Sequence, residues 1–165
     1  MKLKLTGDKE TEKALLALGK KVAKKTVKKS VRVGSKNTLA VGRALAKSRV
    51  GGNMGKMLAR FMAVRPYKKQ RSGSFAERVF IRAADVFIGY AQGASSSLAT
   101  RKTSGTRYYI PNAIEFGHVK QNGGFVPAIS FMRAAEEQTN VISKRLIEND
   151  LKKRIHEEAK KGGID

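Results

Sequence analysis

Cysteine and tryptophan are absent from the 165 residues, and proline and histidine occur only three times and twice. Without cysteine the chain cannot form disulfides, thiol nucleophiles or thiolate metal sites. The longest uninterrupted apolar run, Ala14 to Leu18, is far too short for a transmembrane helix. The opening stretch, Met1 to Thr6, lacks the apolar segment of a secretory signal. We therefore expect an intracellular chain with no membrane partner.

Acidic residues are also scarce: there are 13 Asp or Glu against 35 Lys or Arg, and the formal net charge is +22. The imbalance is concentrated in residues 1–71, which hold 21 basic and 3 acidic residues, whereas residues 129–165 hold 8 and 7. A charge this large attracts polyanions or acidic protein surfaces. The length and the 41% hydrophobic content suit one domain with a modest core.

The basic front half has the period of an amphipathic helix over about residues 8–33. At 100° per residue, lysines cover the side of this helix opposite Leu15 and Val22. The predicted lysine face, which we expect to meet an anionic partner, consists of Lys20, Lys21, Lys24, Lys28 and Lys29. Gly34 is expected to end the helix, and a second, shorter helix is expected through Ala46.

The rest of the chain predicts short strands, loops and a final helix. The segments predicted as strands are 57–67, 75–81 and 86–90. Residues 50–53 and the Ser- and Gly-rich stretch 93–106 are expected to be loops, the longer one functional or mobile. A helical turn is expected after Pro111, and a final helix is expected over about 128–160. The apolar positions of this helix shift out of phase past Ile147, which predicts either a break near Asn149 or a second partner for the last turns. The expected buried stripe early in that helix is Phe131, Ala134, Ala135, Gln138 and Ile142.

These elements predict an α+β fold with a long N-terminal amphipathic helix, a small antiparallel sheet and a C-terminal helix packed on the sheet. We expect a single domain over residues 1–165. Within it we expect a basic N-terminal helical part at 1–56, a sheet and loop part at 57–126 and the C-terminal helix at 127–161.

Side chains that carry catalysis or bind metals are few. His118 and His156 are the two histidines, and the pair Glu115 and His118 lacks the further ligands that zinc requires. The serines at 95–97 have no base nearby in the sequence, and neither a nucleophile elbow nor a phosphate-binding loop occurs. We therefore predict no enzymatic activity, no cofactor and no metal site.

The basic half is suited to phosphate contacts, with lysine as a point charge and arginine as a bidentate donor. No zinc finger, aromatic RNP signature or KH-type clamp accompanies it. The composition therefore favours non-specific contact with DNA, or contact with an acidic protein ring, over sequence-specific DNA binding.

The back half carries short motifs in a fixed order. They are Tyr108-Tyr109, Ile114-Glu115-Phe116-Gly117, Val126-Pro127-Ala128 and Phe131-Met132-Arg133-Ala134-Ala135. The front half adds Leu3-x-Leu5-x-Gly7 and Asn53-Met54-Gly55-Lys56-Met57-Leu58. In this order the motifs resemble the tail-completion (neck, or head–tail joining) family of tailed bacteriophages.

The resemblance implies a structural virion protein that completes the tail and joins it to the head connector. It implies a homo-oligomeric ring of six copies. The ring would contact neighbouring neck, connector or tail-tube proteins and the DNA passing through the neck. The location it implies is the tail or neck of the virion, and the host cytoplasm during assembly. The alternative is a strongly basic, non-specific nucleic-acid-binding protein of ribosomal or nucleoid type.

The resemblance also implies that the motif residues mark the fold rather than bind a ligand. These residues are Tyr108, Tyr109, Glu115, Phe116, Gly117, Pro127, Ala128 and Phe131. We expect Gly117 to allow a sharp turn after a buried Phe116. Pro127 is expected to set the approach to the final helix, and Phe131 to pack onto the sheet.

Overall fold

The computed structural model describes residues 20–67, 75–90, 107–119 and 123–161. Its helices are α1 (Lys20–Leu45), α2 (Gly52–Phe61), α3 (Ile110–Phe116) and α4 (Phe131–Lys161). Its strands are β1 (Met62–Pro66), β2 (Glu77–Ile81), β3 (Ile88–Tyr90), β4 (Arg107–Tyr109), β5 (His118–Val119) and β6 (Phe125–Val126). A π-helical turn, Ala46–Val50, joins α1 to α2, and a 3-10 turn, Asp85–Phe87, precedes β3.

The predicted α+β class is confirmed, with a long N-terminal helix, a small set of antiparallel strands and a C-terminal helix that packs on the rest. In the described part of the chain the strands form three two-stranded ladders, β1–β2, β3–β4 and β5–β6. The β3–β4 ladder pairs Gly89 with Tyr108, and the β5–β6 ladder pairs Val119 with Phe125; both are antiparallel.

The chain divides into two compact units. The first unit consists of residues 1–41, 63–80 and 135–165, and the second of residues 42–62 and 81–134. Long helices and the β1–β2 ladder contribute to both units, so the unit boundaries do not follow the three parts expected from the sequence. The single domain over 1–165 stays a prediction.

Small and hydroxyl side chains form the contact between α1 and α4 in the first unit. Thr38 Oγ1 lies 2.9 Å from Thr139 Oγ1 and 3.2 Å from Ser143 Oγ, and Ser143 Oγ donates to the Gly34 carbonyl at 3.2 Å. All of these hydroxyls are buried. Because each buried hydroxyl has a hydrogen-bond partner, the polar contact does not incur the cost of an unsatisfied group.

Gly34 does not end α1, and this expectation was wrong. The helix continues from Lys20 to Leu45, so no second helix begins between them. A Cβ on Gly34 would lie 2.5 Å from Ile147 Cδ1 and 3.0 Å from the Ser143 carbonyl oxygen. Glycine stands here because α4 approaches the backbone of α1 closely, a packing reason that can retain glycine within a helix.

The expected break in α4 is also absent: the helix runs without interruption through Asn149. Its buried side chains recur every four residues at Phe131, Ala135, Thr139, Ser143, Ile147, Leu151 and Ile155. Since 3.6 residues make a turn, a spacing of four rotates the buried line by about 40° at each step. The expected positions Gln138 and Ile142 are exposed. Thr139 and Ser143 interrupt the apolar side chains of this buried line, so apolar periodicity in the sequence does not reveal that the line is continuous.

Residues 57–61 belong to α2 and residues 62–66 to β1, whereas a strand was expected throughout 57–67. Gly55, Leu58, Ala59 and Met62 are buried, with the spacing of a helical face. A Cβ on Gly55 would lie 2.5 Å from the Ala46 carbonyl oxygen, so α2 packs tightly against the π-helical turn. The predicted loop at 50–53 is reduced to Gly51, because Val50 ends the π-helical turn and Gly52 begins α2.

The core of the second unit forms around Phe87, which is fully buried. The ring of Phe61 lies edge-on to it at 5.2 Å and the ring of Tyr109 at 6.3 Å, both between centroids. Edge-on contacts of this kind stabilise aromatic pairs beyond the area they bury. Tyr109 also donates its hydroxyl to the Ile81 carbonyl at 3.4 Å.

Several predictions lie outside the described residues. They concern the start of the first helix before Lys20, the loop at 93–106 and the serines at 95–97.

Candidate functional site

The predicted lysine face lies on α1. Its members are Lys20, Lys21, Lys24, Lys28 and Lys29. The last three are exposed, while Thr26 and Ser30 on the opposite side of the helix are buried. The side chains of Lys20 and Lys21 lie outside the described residues. Lys28 Nζ stands 5.4 Å from the centre of the Phe75 ring, a cation–π contact.

The lysine face belongs to a longer stretch of one charge sign. No acidic residue occurs between Glu12 and Glu77 in the sequence. Among the described residues of that stretch only Arg32 has a carboxylate partner, with Nη1 3.8 Å from Glu77 Oε1. The other described cations of this stretch form no ion pair with a described carboxylate, and such an excess of one charge sign attracts anions.

Glu77 is buried beneath α1, with its side chain 3% exposed. Its Oε2 atom has no hydrogen-bond partner. Burial raises the pKa of this carboxyl above its usual value, and the opposing influences of Arg32, Ser35 and Lys36 do not cancel the rise. Because the charged form loses hydration, the protonated form is favoured relative to an exposed glutamate.

The β1–β2 ladder carries an arginine pair that sequence analysis missed. Tyr67 N donates to the Ala76 carbonyl at 3.1 Å, and Arg82 N donates to the Phe61 carbonyl at 2.9 Å. Hydrogen bonds at both ends define an antiparallel register in which Arg65 lies directly opposite Arg78.

One face of this ladder combines cations with aromatic rings. The Arg65 and Arg78 guanidinium carbons lie 5.3 and 5.4 Å from the centre of the Phe80 ring, and Arg78 lies 5.6 Å from the Tyr67 ring. Both arginines are exposed. We call this surface the arginine ribbon: Arg65, Tyr67, Arg78 and Phe80. Alternation places Glu77 on the opposite face.

Residues of the Ile114-Glu115-Phe116-Gly117 motif contact the start of α4 and form a junction with it. Glu115 Oε2 accepts from Met132 N and Oε1 from Arg133 N, both at 2.9 Å. Ser130 Oγ donates to the Glu115 carbonyl at 3.2 Å, and Ile129 N donates to the Ile114 carbonyl at 2.9 Å. A buried carboxylate thus satisfies two free N–H groups at the positive end of α4.

Two other motif residues show why the chain turns here. Gly117 has φ +74°, and a Cβ there would lie 2.6 Å from the Val126 carbonyl oxygen, so the expected turn glycine is confirmed. Phe116 was expected to be buried and is 61% exposed. The Arg133 guanidinium lies 5.4 Å from its ring centre, which holds the ring at the surface.

The remaining motif residues differ in burial. Phe131 is fully buried, while Pro127 and Ala128 are exposed. Tyr109 packs on Phe87. Tyr108 of β4 pairs with Gly89 of β3, and the side chain of Tyr108 lies outside the described residues. The contacts of the junction are therefore made by Glu115 and Gly117.

Among the described residues, lysines and arginines outnumber aspartates and glutamates. His118 and His156 are exposed, and Glu115 is occupied by the α4 backbone. No group of three His, Asp or Glu in the described ranges could hold a metal ion. Nor does any helix in those ranges have both the length and the apolar character needed to cross a membrane.

Comparison with known proteins identifies no relative: no family model, no curated protein and no solved structure matches this chain.

Proposed function

We propose that this protein is a structural component of a tailed-bacteriophage virion that completes the tail and joins it to the head connector. The observation that supports this most is the junction built by the motif residues. The family motif pairs a Glu-Phe-Gly with a Pro-Ala and a following Phe. Here Ser130, directly before Phe131, donates to the Glu115 carbonyl, and Gly117 lies close to the backbone of Val126 and Ala128. The motif thus acts as one local structure, as a fold-marking motif should.

A ring of copies fits the exposed apolar side chains of the second unit. Phe116, Val119 and Phe125 are 61%, 70% and 63% exposed, and the last two lie opposite each other in the β5–β6 ladder. Large apolar side chains grouped at a surface mark interaction sites. We call Phe116, Val119 and Phe125 the apolar tip. We propose that a neighbouring copy covers the apolar tip in a closed ring of six copies.

The lysine face would then meet an anion in the assembled neck. Copies of one basic surface repel each other in a closed ring unless a counter-charge intervenes. The DNA that passes through the neck and the acidic residues of an adjoining ring are the two counter-charges that this setting offers.

The test is to express the chain together with connector and tail-tube proteins of a tailed bacteriophage. We expect it to co-purify with them, and expect native mass spectrometry to show a closed oligomer near six times the mass of the chain. A chain that remains monomeric at high concentration and contacts none of these proteins would contradict the proposal.

The second candidate is a non-specific nucleic-acid-binding protein, favoured by the acid-free stretch between Glu12 and Glu77. Such a protein should co-purify with DNA or RNA and behave as a small species after nuclease treatment. A ring component should keep its assembled size after the same treatment.

A further inference from the structure

The arginine ribbon places two like charges side by side. Directly opposed like charges on a strand pair destabilise it. Arg65 and Arg78 nevertheless occupy such a pair, and neither has a carboxylate partner among the described residues. A surface that keeps an unfavourable pair without local neutralisation is suited to an external anion.

The aromatic rings hold both guanidinium groups in place. Phe80 has Arg65 and Arg78 over its ring, and Tyr67 provides a second ring for Arg78. Cation–π contacts restrict these long side chains while leaving their N–H groups able to bind an anion. Since less side-chain freedom is then lost on binding, the pair is preorganised for two neighbouring negative groups.

We propose that the arginine ribbon binds the sugar–phosphate backbone of duplex nucleic acid without sequence preference, through Arg65 and Arg78. Each guanidinium can contact a phosphate in bidentate geometry. A two-stranded ribbon also has the dimensions that the major groove of DNA admits. The inference goes beyond the joining function and does not depend on it.

Two observations favour a nucleic acid duplex over other anions. The Phe80 ring already has guanidinium groups over it, so it is not an open platform for stacking unpaired bases. The stretch from Lys13 to Ala76 contains no acidic residue, which matches a polymer of uniform negative charge.

The experiment measures fluorescence anisotropy of a short, random-sequence DNA duplex over a series of salt concentrations. We compare the wild-type chain with the double variant Arg65→Gln/Arg78→Gln. The control is Lys144→Gln/Arg145→Gln, which removes the same charge from exposed positions on α4. Circular dichroism checks that all variants fold.

We expect the arginine variant to lower the slope of log affinity against log salt by about 1.8, or about 0.9 for each lost phosphate contact. This corresponds to a loss of roughly tenfold to a hundredfold in affinity near 0.1 M salt. The control variant should retain a slope close to wild type. The variant Arg65→Lys/Arg78→Lys should keep the slope, because the number of charges is unchanged.

Four results would overturn the inference: no binding of wild type at low salt, equal losses in the arginine and control variants, equally tight binding of poly-glutamate with the same dependence on the two arginines, or tighter binding of single-stranded than duplex DNA. Tighter binding of single-stranded than duplex DNA would show that stacking, not the duplex backbone, is recognised. Ring formation, measured in parallel on the same variants, separates failure of this inference from failure of the joining function.

Discussion

Glu115 and Gly117 lie two positions apart and make the start of α4 possible in different ways. The Glu115 carboxylate receives two backbone N–H groups of the helix, while the positive φ of Gly117 turns the chain into β5. The first contribution is electrostatic and the second is conformational. Substitutions can therefore separate them.

Gly117→Ala should destabilise the protein by about 2–4 kcal/mol, because it adds a strained φ and a Cβ close to the Val126 carbonyl oxygen. Gly123→Ala is the matched control: Gly123 has φ +80° but no atom within 4 Å of the Cβ position. It should cost only the conformational part, about 1 kcal/mol. Urea unfolding monitored by circular dichroism measures both. Equal losses in the two variants would refute the close contact at Gly117.

Glu77 should make stability depend on pH. Its folded pKa is raised, so its contribution is fully present below the pKa of the unfolded chain and is lost as the pH rises through the folded value. Glu77→Gln should remove this loss and make the protein more stable relative to wild type as the pH rises from about 4.5 toward neutrality.

The measurement is the free energy of unfolding at a series of pH values. Glu137→Gln, which also removes one carboxyl but at an exposed position on α4, is the control for the change in net charge. A Glu77→Gln profile parallel to wild type would show that the Arg32 ion pair compensates fully for burial.

At the scale of elements, α1 and α4 pack so closely that a single methyl group matters. Gly34 faces Ile147, and the surrounding contacts are hydroxyl hydrogen bonds that need short distances. Close packing of this kind leaves little room to relax.

Gly34→Ala should therefore destabilise the protein by about 1–3 kcal/mol, although alanine favours an isolated helix by about 1 kcal/mol over glycine. Shortening the opposing side chain provides the control. In the double variant Gly34→Ala/Ile147→Ala the added methyl has space, so the two losses should be less than additive. Thermal unfolding of the two single variants and the double variant completes the cycle. Strict additivity would contradict direct contact between these positions.

At the scale of the whole molecule, assembly should depend on the apolar tip. Val119→Ser/Phe125→Ser should abolish the ring while leaving the monomer folded, because both side chains are more than half exposed. The matched control is Val141→Ser/Ile142→Ser, which changes two apolar side chains on α4 that are 61% and 55% exposed. Analytical ultracentrifugation compares the assembled fractions. Loss of assembly in the control alone would move the proposed interface to α4.

Much of the fold could be predicted from local patterns, because the causes are local. The lysine face follows from helical periodicity, and the turn at Gly117 from the conformational freedom of glycine. The strand at 77–81 and the long final helix also appear in the chain where their patterns predict them. Each of these features needs only neighbours within a few positions.

Tertiary structure alone decided the features that depend on distant residues. A glycine such as Gly34 can end a helix or allow a second helix to pack closely against it. Here α4 packs closely against α1 at Gly34, and α1 continues. Thr139 and Ser143 are buried against α1, where the Thr38 hydroxyl lies within hydrogen-bond distance of both. Arg65 lies opposite Arg78 only once the register of β1 and β2 is set. The positions of the charges and of the helical faces follow from the order of residues alone, because both are periodic along the chain. Which faces meet, and which charges stand together, depends on contacts between residues far apart in sequence, and no local pattern encodes those distances.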